Sequence, residues 1–467
     1  MKTRKEHDFL GELDIPADVY YGVQTMRAVQ NFRISNGTIS HCPSLIRSYA
    51  LVKKAAALAN AELGVVPADL SKVICAACDE LIAGKLHDQF PTDTFQGGAG
   101  TSVNMNVNEV IANRALEIMG HKKGEYEFCH PNNHVNCSQS TNDTYPTAFR
   151  IALHQELSEL MKHMEYLQKG FAQKGVEFAD VVKMGRTQLQ DAVPMTLGQE
   201  FSAYATTIGE DIQRVDEARK LPLEISLGAT AIGTGINAPT DYARVVCNHL
   251  RNLSGLKVVT SENLIEATWD TGCYVQISGV LKRFAVKLSK ICNDLRLLSS
   301  GPRTGINEIN LPRLQPGSSI MPGKVNPVIP EVVNQVCFDV IGKDVTITMA
   351  AEAGQLELNV MEPVIAHALF HAIERLKRSC DTLQDKCVSG ITANRERCHA
   401  LVINSIGIVT NLVPVIGYEK SAQVAKEALA SGRSVADVVL EHKFLTKEQL
   451  DKLLSPESMV RPARAHL

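Results

Sequence analysis

The chain has 467 residues, of which 45% are apolar and 21% charged, and its formal net charge is −3. A chain of this length can bury a large core and allows about two to four domains. The nearly balanced charge excludes the strongly basic surface of nucleic-acid-binding proteins and polybasic membrane anchors. We therefore expect a soluble protein that acts on a small molecule or a protein partner, with no nucleic-acid or membrane partner.

The amino terminus and the cysteines both indicate a cytoplasmic protein. Charged residues at positions 1–8 are not followed by an apolar run, so they do not form a signal peptide, and no segment approaches a membrane span. Twelve scattered cysteines do not suggest a disulfide framework, and reduced thiols explain them more simply. Cys75 and Cys78 lie in an apolar, alanine-rich run and are interpreted as core thiols.

A second cysteine cluster raises the question of a metal site. Two thiols and two imidazoles lie within nine residues, at Cys129, His130, His134 and Cys137. Zinc accepts such ligands, but nine residues can hardly wrap all four around one ion. We therefore do not predict a zinc site.

The first hundred residues divide into irregular and helical segments. Glycines and a proline interrupt any periodicity in residues 8–24, which predicts an irregular segment that wraps a surface. Residues 44–86 repeat apolar side chains at helical spacing, which predicts helices. Residues 96–101 form a glycine-rich turn before another helical segment. Thr101 and Ser102 there either cap that helix or bind a ligand that the glycines allow close to the backbone.

Short polar side chains are concentrated just before the next predicted helix, at Ser138, Ser140, Thr141, Asn142 and Asp143. They can hydrogen-bond an anion without adding charge, and the free backbone amides of a helix beginning here would face the same ligand. A polar helix cap and an anion site are both consistent with this pattern.

Apolar residues that recur about every 3.5 positions predict three long helices, as in coiled-coil-like bundles. The seams are Leu153, Leu157, Leu160, Met164, Leu167 and Phe171; Ile277, Leu281, Phe284, Leu288, Ile291, Leu295 and Leu298; and Ile365, Leu369, Ala372, Leu376, Cys380, Leu383 and Cys387. No long alternating strand is visible, although minor hairpins remain possible. We predict an all-α fold built around an elongated bundle.

Two segments between these helices break the helical pattern. Residues 183–194 contain Thr187 and Gln188 at a break before the next helix. Residues 228–235 form another glycine-rich turn. It lacks the lysine of a P-loop and precedes no βαβ unit, so we interpret it as a backbone bend beside the site and not as a nucleotide site.

The segment 317–326 concentrates reactive and hydrogen-bonding side chains, because two serines, a lysine and an asparagine lie there among glycines and a proline. Such punctuation predicts a loop of defined shape. Its glycine spacing and the valine after Lys324 do not match a P-loop. Two interpretations remain: an ordinary turn-rich connection, or a carboxylate site with Lys324 as the charge, Asn326 as the amide donor and a serine that moves a proton.

Beyond residue 390 the predicted helices are shorter, and Thr446 and Gln449 form a capping box near the end. We therefore predict three domains: residues 1–140, a central long-helix bundle at 141–393, and a small helical domain at 394–467.

Five motifs together resemble the aspartase/fumarase superfamily, most closely its aspartate ammonia-lyase branch. They are GGAGTS at 97–102, HVNCSQSTND at 134–143, KMGRTQLQDAVP at 183–194, GSSIMPGKVNP at 317–327 and NVMEP at 359–363. The resemblance implies a homotetramer whose central domains form one bundle, with each active site built from three chains. It also implies elimination of ammonia from L-aspartate to give fumarate, without a redox or group-carrier cofactor.

The resemblance assigns roles to individual residues, with Ser318 as the general base. Donors to the dianionic aci-carboxylate intermediate are expected at Thr101, Ser140, Thr141 and Ser319. The α-carboxylate is expected at Thr187, Lys324 and Asn326, and the amino group at Asn142 and Gln188.

Gln188 bears on the choice of reaction. Fumarases and some aspartases carry histidine at the matching position, and hydroxide must be protonated to leave, whereas ammonia leaves from an ammonium without an acid. Glutamine has no titratable proton to donate, which favours ammonia elimination. Fumarate hydratase and a catalytically silent structural homologue remain the alternatives.

Overall fold

The computed structural model describes residues 2–460. Its helices in chain order are α1 Val23–Asn31, α2 Pro43–Glu62, α3 Ala68–Ile82, α4 Thr101–Ile118, α5 Thr141–Glu177, α6 Leu197–Ala218, α7 Tyr242–Ser254, α8 Glu266–Trp269, α9 Gly272–Leu298, α10 Val328–Glu352, α11 Glu362–Lys386, α12 Arg395–Ile403, α13 Val413–Ile416, α14 Tyr418–Ser431, α15 Val435–Glu441, α16 Lys447–Leu453 and α17 Pro456–Met459.

The strands are short and pair only two at a time within the described residues. They are β1 Thr3–Asp8, β2 Gly11–Pro16, β3 Val182–Thr187, β4 Gln190–Thr196, β5 Glu224–Ile225, β6 Val259–Thr260, β7 Ile309–Asn310 and β8 Thr392–Ala393. The pairs β1–β2, β3–β4 and β7–β8 are antiparallel, and β5–β6 is parallel. The fold is therefore all-α with minor hairpins, as predicted.

The three predicted apolar seams lie on α5, α9 and α11, except for Cys387, which directly follows α11, and every one of their residues is buried. Burial of a full-sized apolar side chain contributes about 1.5–3 kcal/mol, so the buried seams contribute strongly to the stability of the fold. Two further long helices, α6 and α10, also form, and the capping box of Thr446 and Gln449 opens α16.

Two predicted irregular segments are in fact hairpins. β1 and β2 pair from Thr3↔Pro16 to Asp8↔Gly11, so the prediction that residues 8–24 are irregular is wrong over their first half. The break at 183–194 is the β3–β4 hairpin, which has a bulge between Met184 and Arg186. β1 is polar, and the apolar alternation of β2 and β3 covers only three residues in each strand, 13–15 and 182–184, which is too short to predict a strand.

The chain divides into two compact units. The first comprises residues 1–161, 213–283 and 339–376, and contains β1–β2, α1–α4, α7 and α8. The second comprises residues 162–212, 284–338 and 377–467, and contains β3–β4 and the short helices from α12 onward. The division into domains at 140 and 393 stays a prediction.

Each unit has its own core. In the first, α2 packs against α3 and α7 with fully buried residues that include Tyr49 and Ala56. In the second, residues from β3 and the terminal helices form one apolar cluster around Leu412, Val424 and Val438. Among the described residues no single helix is long and apolar enough to cross a membrane, and one bent pair, Arg395–Ile403 with Ile406–Ile416, passes by length and composition only.

Candidate active site

The 317–326 loop is closed by its own hydrogen bonds. The Gly317 amide donates to the Lys324 carbonyl at 2.7 Å, and the Asn326 side-chain amide donates to the Gly317 carbonyl at 2.8 Å. A Cβ atom at Gly317 would lie 2.8 Å from the Asn326 nitrogen and 2.9 Å from the Lys324 oxygen, so only glycine fits there. The loop therefore has a defined shape although Ser319 and Lys324 are exposed.

Ser318, the second residue of this loop, is half-buried, and two backbone amides are directed at its hydroxyl oxygen. The amides of Ile320 and Met321 donate to Ser318 Oγ at 3.2 Å and 2.9 Å. Donors aimed at an oxygen stabilise negative charge on it. The geometry thus favours the alkoxide that a serine base requires.

Thr187 and Gln188 lie at the exposed tip of the β3–β4 hairpin. Gln188 and Leu189 have φ angles of 55° and 63°, so both central residues of this two-residue turn are left-handed, as in a type I′ turn. The turn presents Thr187 and Gln188 on the second unit, which also carries the 317–326 loop.

In the first unit, Ser140, Thr141 and Asn142 lie together at the start of α5. Ser140 Oγ accepts the Asn142 amide at 3.2 Å, and the Asp143 carboxylate accepts the Ser140 amide at 3.0 Å. This reciprocal arrangement resembles a capping box and satisfies amides that the helix leaves free.

Asp143 connects this terminus to the second glycine-rich turn. Its Oδ2 accepts the amides of Gly228 and Thr230, each at 3.0 Å, and its side chain is fully buried. Burial raises the pKa of the Asp143 carboxyl to about 6, while the backbone amides from Ser140, Thr230 and Gly228 act in the opposite direction. The sequence pattern places Asp143 among the side chains expected to bind an anion, whereas in the structure its carboxylate accepts three backbone amides and orders both segments.

Lys53 of α2 contacts the segment that precedes α5. Its ammonium nitrogen is 3.0 Å from Asn136 Oδ1 and 2.9 Å from Gln139 Oε1. Asn136 Oδ1 also accepts from Asn104, whose amide donates to Thr141 Oγ1 at 3.1 Å. Lys53 was missed, but the helical spacing that places Tyr49 and Ala56 inside α2 also places Lys53 there.

Two of the predicted donors already have partners. Thr101 is the first residue of α4 and not its cap, which is Gly100, and its hydroxyl donates to the Gly98 carbonyl at 2.7 Å. The Asn142 side-chain amide donates to the Ala231 carbonyl at 2.7 Å. Thr101 has one hydroxyl hydrogen, so it must turn to reach a ligand, whereas Asn142 keeps a second amide hydrogen.

The cysteine and histidine clusters have structural roles. His130 Nδ1 accepts the amides of Asn132 and Asn133, and His134 Nδ1 accepts the His130 amide. No group of three or more His, Cys, Asp or Glu side chains within residues 2–460 has the arrangement of a metal site. Cys75 and Cys78 are buried and unpaired, and burial raises the pKa of both thiols.

Family comparisons agree with this arrangement. The family model described as lyase matches residues 11–342, and the one described as fumarase C C-terminus matches residues 408–461. The aspartate ammonia-lyase of Helicobacter pylori (strain J99) is 63% identical over 98% of this chain and 98% of its own length. The aspartate ammonia-lyase of Escherichia coli (strain K12) is 57% identical over 98% of this chain and 96% of its own.

Solved structures give the same family. The fumarate lyase:delta crystallin of Brucella melitensis bound to cobalt has a TM-score of 0.96 and 55% identity, covering 99% of this chain and 100% of that one. The recombinant class II fumarase of Schistosoma mansoni has a TM-score of 0.93 and 36% identity, with coverage of 99% and 100%. The resemblance found in the motifs is confirmed: the chain belongs to the aspartase/fumarase superfamily of lyases.

The Lys53 environment predicts a specific pH dependence of stability. Burial lowers the pKa of the Lys53 ammonium from 10.5 to about 7, against the opposing charge of Asp143. Between these values the unfolded chain binds one more proton than the native protein, so the free energy of unfolding rises with pH, by up to about 1.4 kcal/mol per unit. A neutral amine still has two hydrogens for the two amide oxygens it faces.

We therefore expect the melting temperature of the wild type minus that of Lys53→Met to increase from pH 7 to pH 9, because only the wild type gains stability from the loss of this proton. Lys54→Met, which removes the neighbouring lysine that pairs with Asp79, is the matched control. Calorimetry at equal protein concentration measures both differences. Equal growth of the two differences with pH would contradict this account of Lys53.

Proposed function

We propose that this enzyme is an aspartate ammonia-lyase, which reversibly eliminates ammonia from L-aspartate to give fumarate. The observation that carries the proposal is the pair of backbone amides directed at Ser318 Oγ, in a loop that also holds a lysine and an asparagine. The identity of 57–63% to aspartate ammonia-lyases over nearly the whole chain supports the same substrate.

Ser318 is the proposed general base. As an alkoxide it takes the proton from the carbon next to the β-carboxylate, and the electron pair left behind moves into that carboxylate as a dianionic aci-carboxylate. This intermediate then re-forms its carboxylate, a carbon–carbon double bond forms, and the carbon–nitrogen bond breaks to release ammonia. Loop closure that excludes water would strengthen both the amide–alkoxide contacts and the contacts to the intermediate.

The remaining residues bind the two carboxylates and the amino group. Thr101, Ser140, Thr141 and Ser319 are the proposed donors to the aci-carboxylate, and Thr187, Lys324 and Asn326 hold the α-carboxylate. Asn142 and Gln188 contact the amino group. Thr141 Oγ1 accepts from Asn104, which leaves its own hydroxyl hydrogen for the substrate.

Two properties of Gln188 and the leaving group favour ammonia elimination over hydration of fumarate. A glutamine amide does not titrate, so it cannot protonate a departing hydroxide. An ammonium group leaves as neutral ammonia and needs no acid. Fumarate hydratase is the second candidate, because the class II fumarase of Schistosoma mansoni shares the fold.

We further propose a homotetramer with active sites shared between chains. Phe338, Val345 and Met349 are spaced by seven and four residues, which places them on one face of α10, yet they are 60%, 58% and 67% exposed. Such an apolar stripe is typical of a helix that packs against another copy of the chain. The twelve unpaired cysteines support a cytoplasmic location for this assembly.

Substrate choice can be tested by ultraviolet absorbance of fumarate with L-aspartate and, separately, with L-malate. We expect absorbance to increase with L-aspartate only, because the site lacks an acid for hydroxide at Gln188. An increase with L-malate only would assign the enzyme as a hydratase. No increase with either would identify a silent homologue.

Ser318→Ala tests the base directly. We expect kcat to fall by at least about 10²- to 10⁴-fold, because the proton acceptor is removed. Circular dichroism and the elution volume should not change, since the loop is half-exposed. Val325→Ala, which removes no polar group from the same loop, is the matched control and should stay near wild-type activity. A near-normal kcat for Ser318→Ala would exclude this assignment.

A further inference from the structure

A buried group of charges lies at the base of the β3–β4 hairpin. The carboxylate of Glu308 is fully buried and is 3.0 Å from Lys183 Nζ and 2.9 Å from Arg186 Nη1. Lys183 also pairs with Glu200 on α6 at 2.6 Å. Two cations thus contact two carboxylates in a cluster whose centre, Lys183 and Glu308, is buried, so loss of either carboxylate leaves a cation short of a partner.

Lys183 and Arg186 contact the same carboxylate although they lie three residues apart on β3, next to a bulge in the hairpin. Alternate residues of a regular strand point to opposite faces, which would separate positions 183 and 186. The register shifts between Met184 and Arg186, where Ala192 and Val193 of β4 both lie opposite Gly185, so the extra residue is in β4 and the local twist of the hairpin increases there. A Cβ atom at Gly185 would lie 2.8 Å from the Val193 carbonyl oxygen, so a glycine is needed there.

Glu308 is itself fixed from several directions. Its amide donates to the Leu298 carbonyl at the end of α9, and its carbonyl accepts from the Asn394 amide, both at 2.9 Å. β7 starts at the next residue and pairs with β8. The same segment then continues to the 317–326 loop, which α10 follows. Glu308 is therefore fixed through its backbone, while its side chain binds the β3–β4 hairpin and its segment leads to the 317–326 loop.

From this arrangement we propose that Glu308 is a positioning residue for the active site. Through Arg186 it fixes the location of Thr187 and Gln188, the next two residues, in the active site to which this hairpin contributes. This rests on the proposed function of those three residues. Glu308 touches no substrate; it acts on the α-carboxylate and amino-group contacts by holding the hairpin in place.

The test replaces Glu308 by Gln, which keeps the side-chain volume but removes the charge that pairs with Arg186. We expect the KM for L-aspartate to rise by at least about tenfold and kcat to fall less, because a misplacement of about 1 Å can cost about 10²-fold and Thr187 contacts the substrate before and during reaction. Amide hydrogen exchange in residues 182–196 should become faster, with the other helices unchanged.

Glu200→Gln is the matched control, because it removes the same charge from the same cluster without affecting the Arg186 pair. It should change KM by less than about threefold. The double variant Glu308→Gln/Lys183→Met restores charge balance; if the single variant does not fold, the double variant should show the same high KM and fast exchange at 182–196.

Two results would overturn the proposal. One is wild-type KM and wild-type exchange at 182–196 in the folded Glu308 variant. The other is equal damage by Glu200→Gln, which would reduce the role of Glu308 to charge neutrality. Hydrogen exchange needs no substrate, so a wild type that is inactive on L-aspartate contradicts the proposed function alone, and the exchange result still decides the role of Glu308.

Discussion

Helix α5 has 37 residues, so at 1.5 Å per residue its two ends lie about 55 Å apart along its axis. Ser140 and Thr141 stand at its beginning, whereas the hairpin with Thr187 and Gln188 comes after its end. Apolar side chains buried on α5 keep it rigid. This length is the reason for the proposal that chains share active sites, because a substrate the size of aspartate cannot bridge such a distance.

Many of the candidate site residues lie on short connections between the helices, and buried charged groups hold these connections in place. Asp143 orders the start of α5 and the turn at Gly228 through three backbone amides. Lys53 holds the preceding segment from below. Glu308 holds the hairpin in the same manner. Each of these charged groups would be costly to bury without partners. Backbone amides, side-chain amide oxygens and cations supply those partners, so the connections have a defined conformation.

Much of the helical fold could be predicted because its signal is local. The seam of α5 repeats within the sequence at a period that only a helix satisfies, and Thr446 and Gln449 are close enough in sequence to be recognised as a capping box. β1 could not be recognised, because its only buried residue is the charged Glu6 and no apolar alternation exists.

The candidate site divides in the same way. The residue types of the 317–326 loop indicate carboxylate chemistry, but the donation of two amides to Ser318 Oγ depends on loop geometry that residue types do not specify. Lys53 and Asn136 are 83 positions apart, and Arg186 and Glu308 are further still. Such pairs are set by tertiary packing, so a single sequence does not reveal them.

Complementation between inactive variants tests the shared site most directly. Ser318→Ala and Thr187→Ala proteins are dissociated, mixed in equal amounts and reassembled. If the two segments come from different chains, roughly a quarter of the sites in random mixed tetramers should have both segments intact and should regain activity on L-aspartate. A mixture of Ser318→Ala with Lys324→Met, whose defects share one loop, should regain none. Mixed Ser318→Ala and Thr187→Ala tetramers that are no more active than the sum of their parents would contradict this shared site, because Ser318 and Thr187 of each site would then come from one chain.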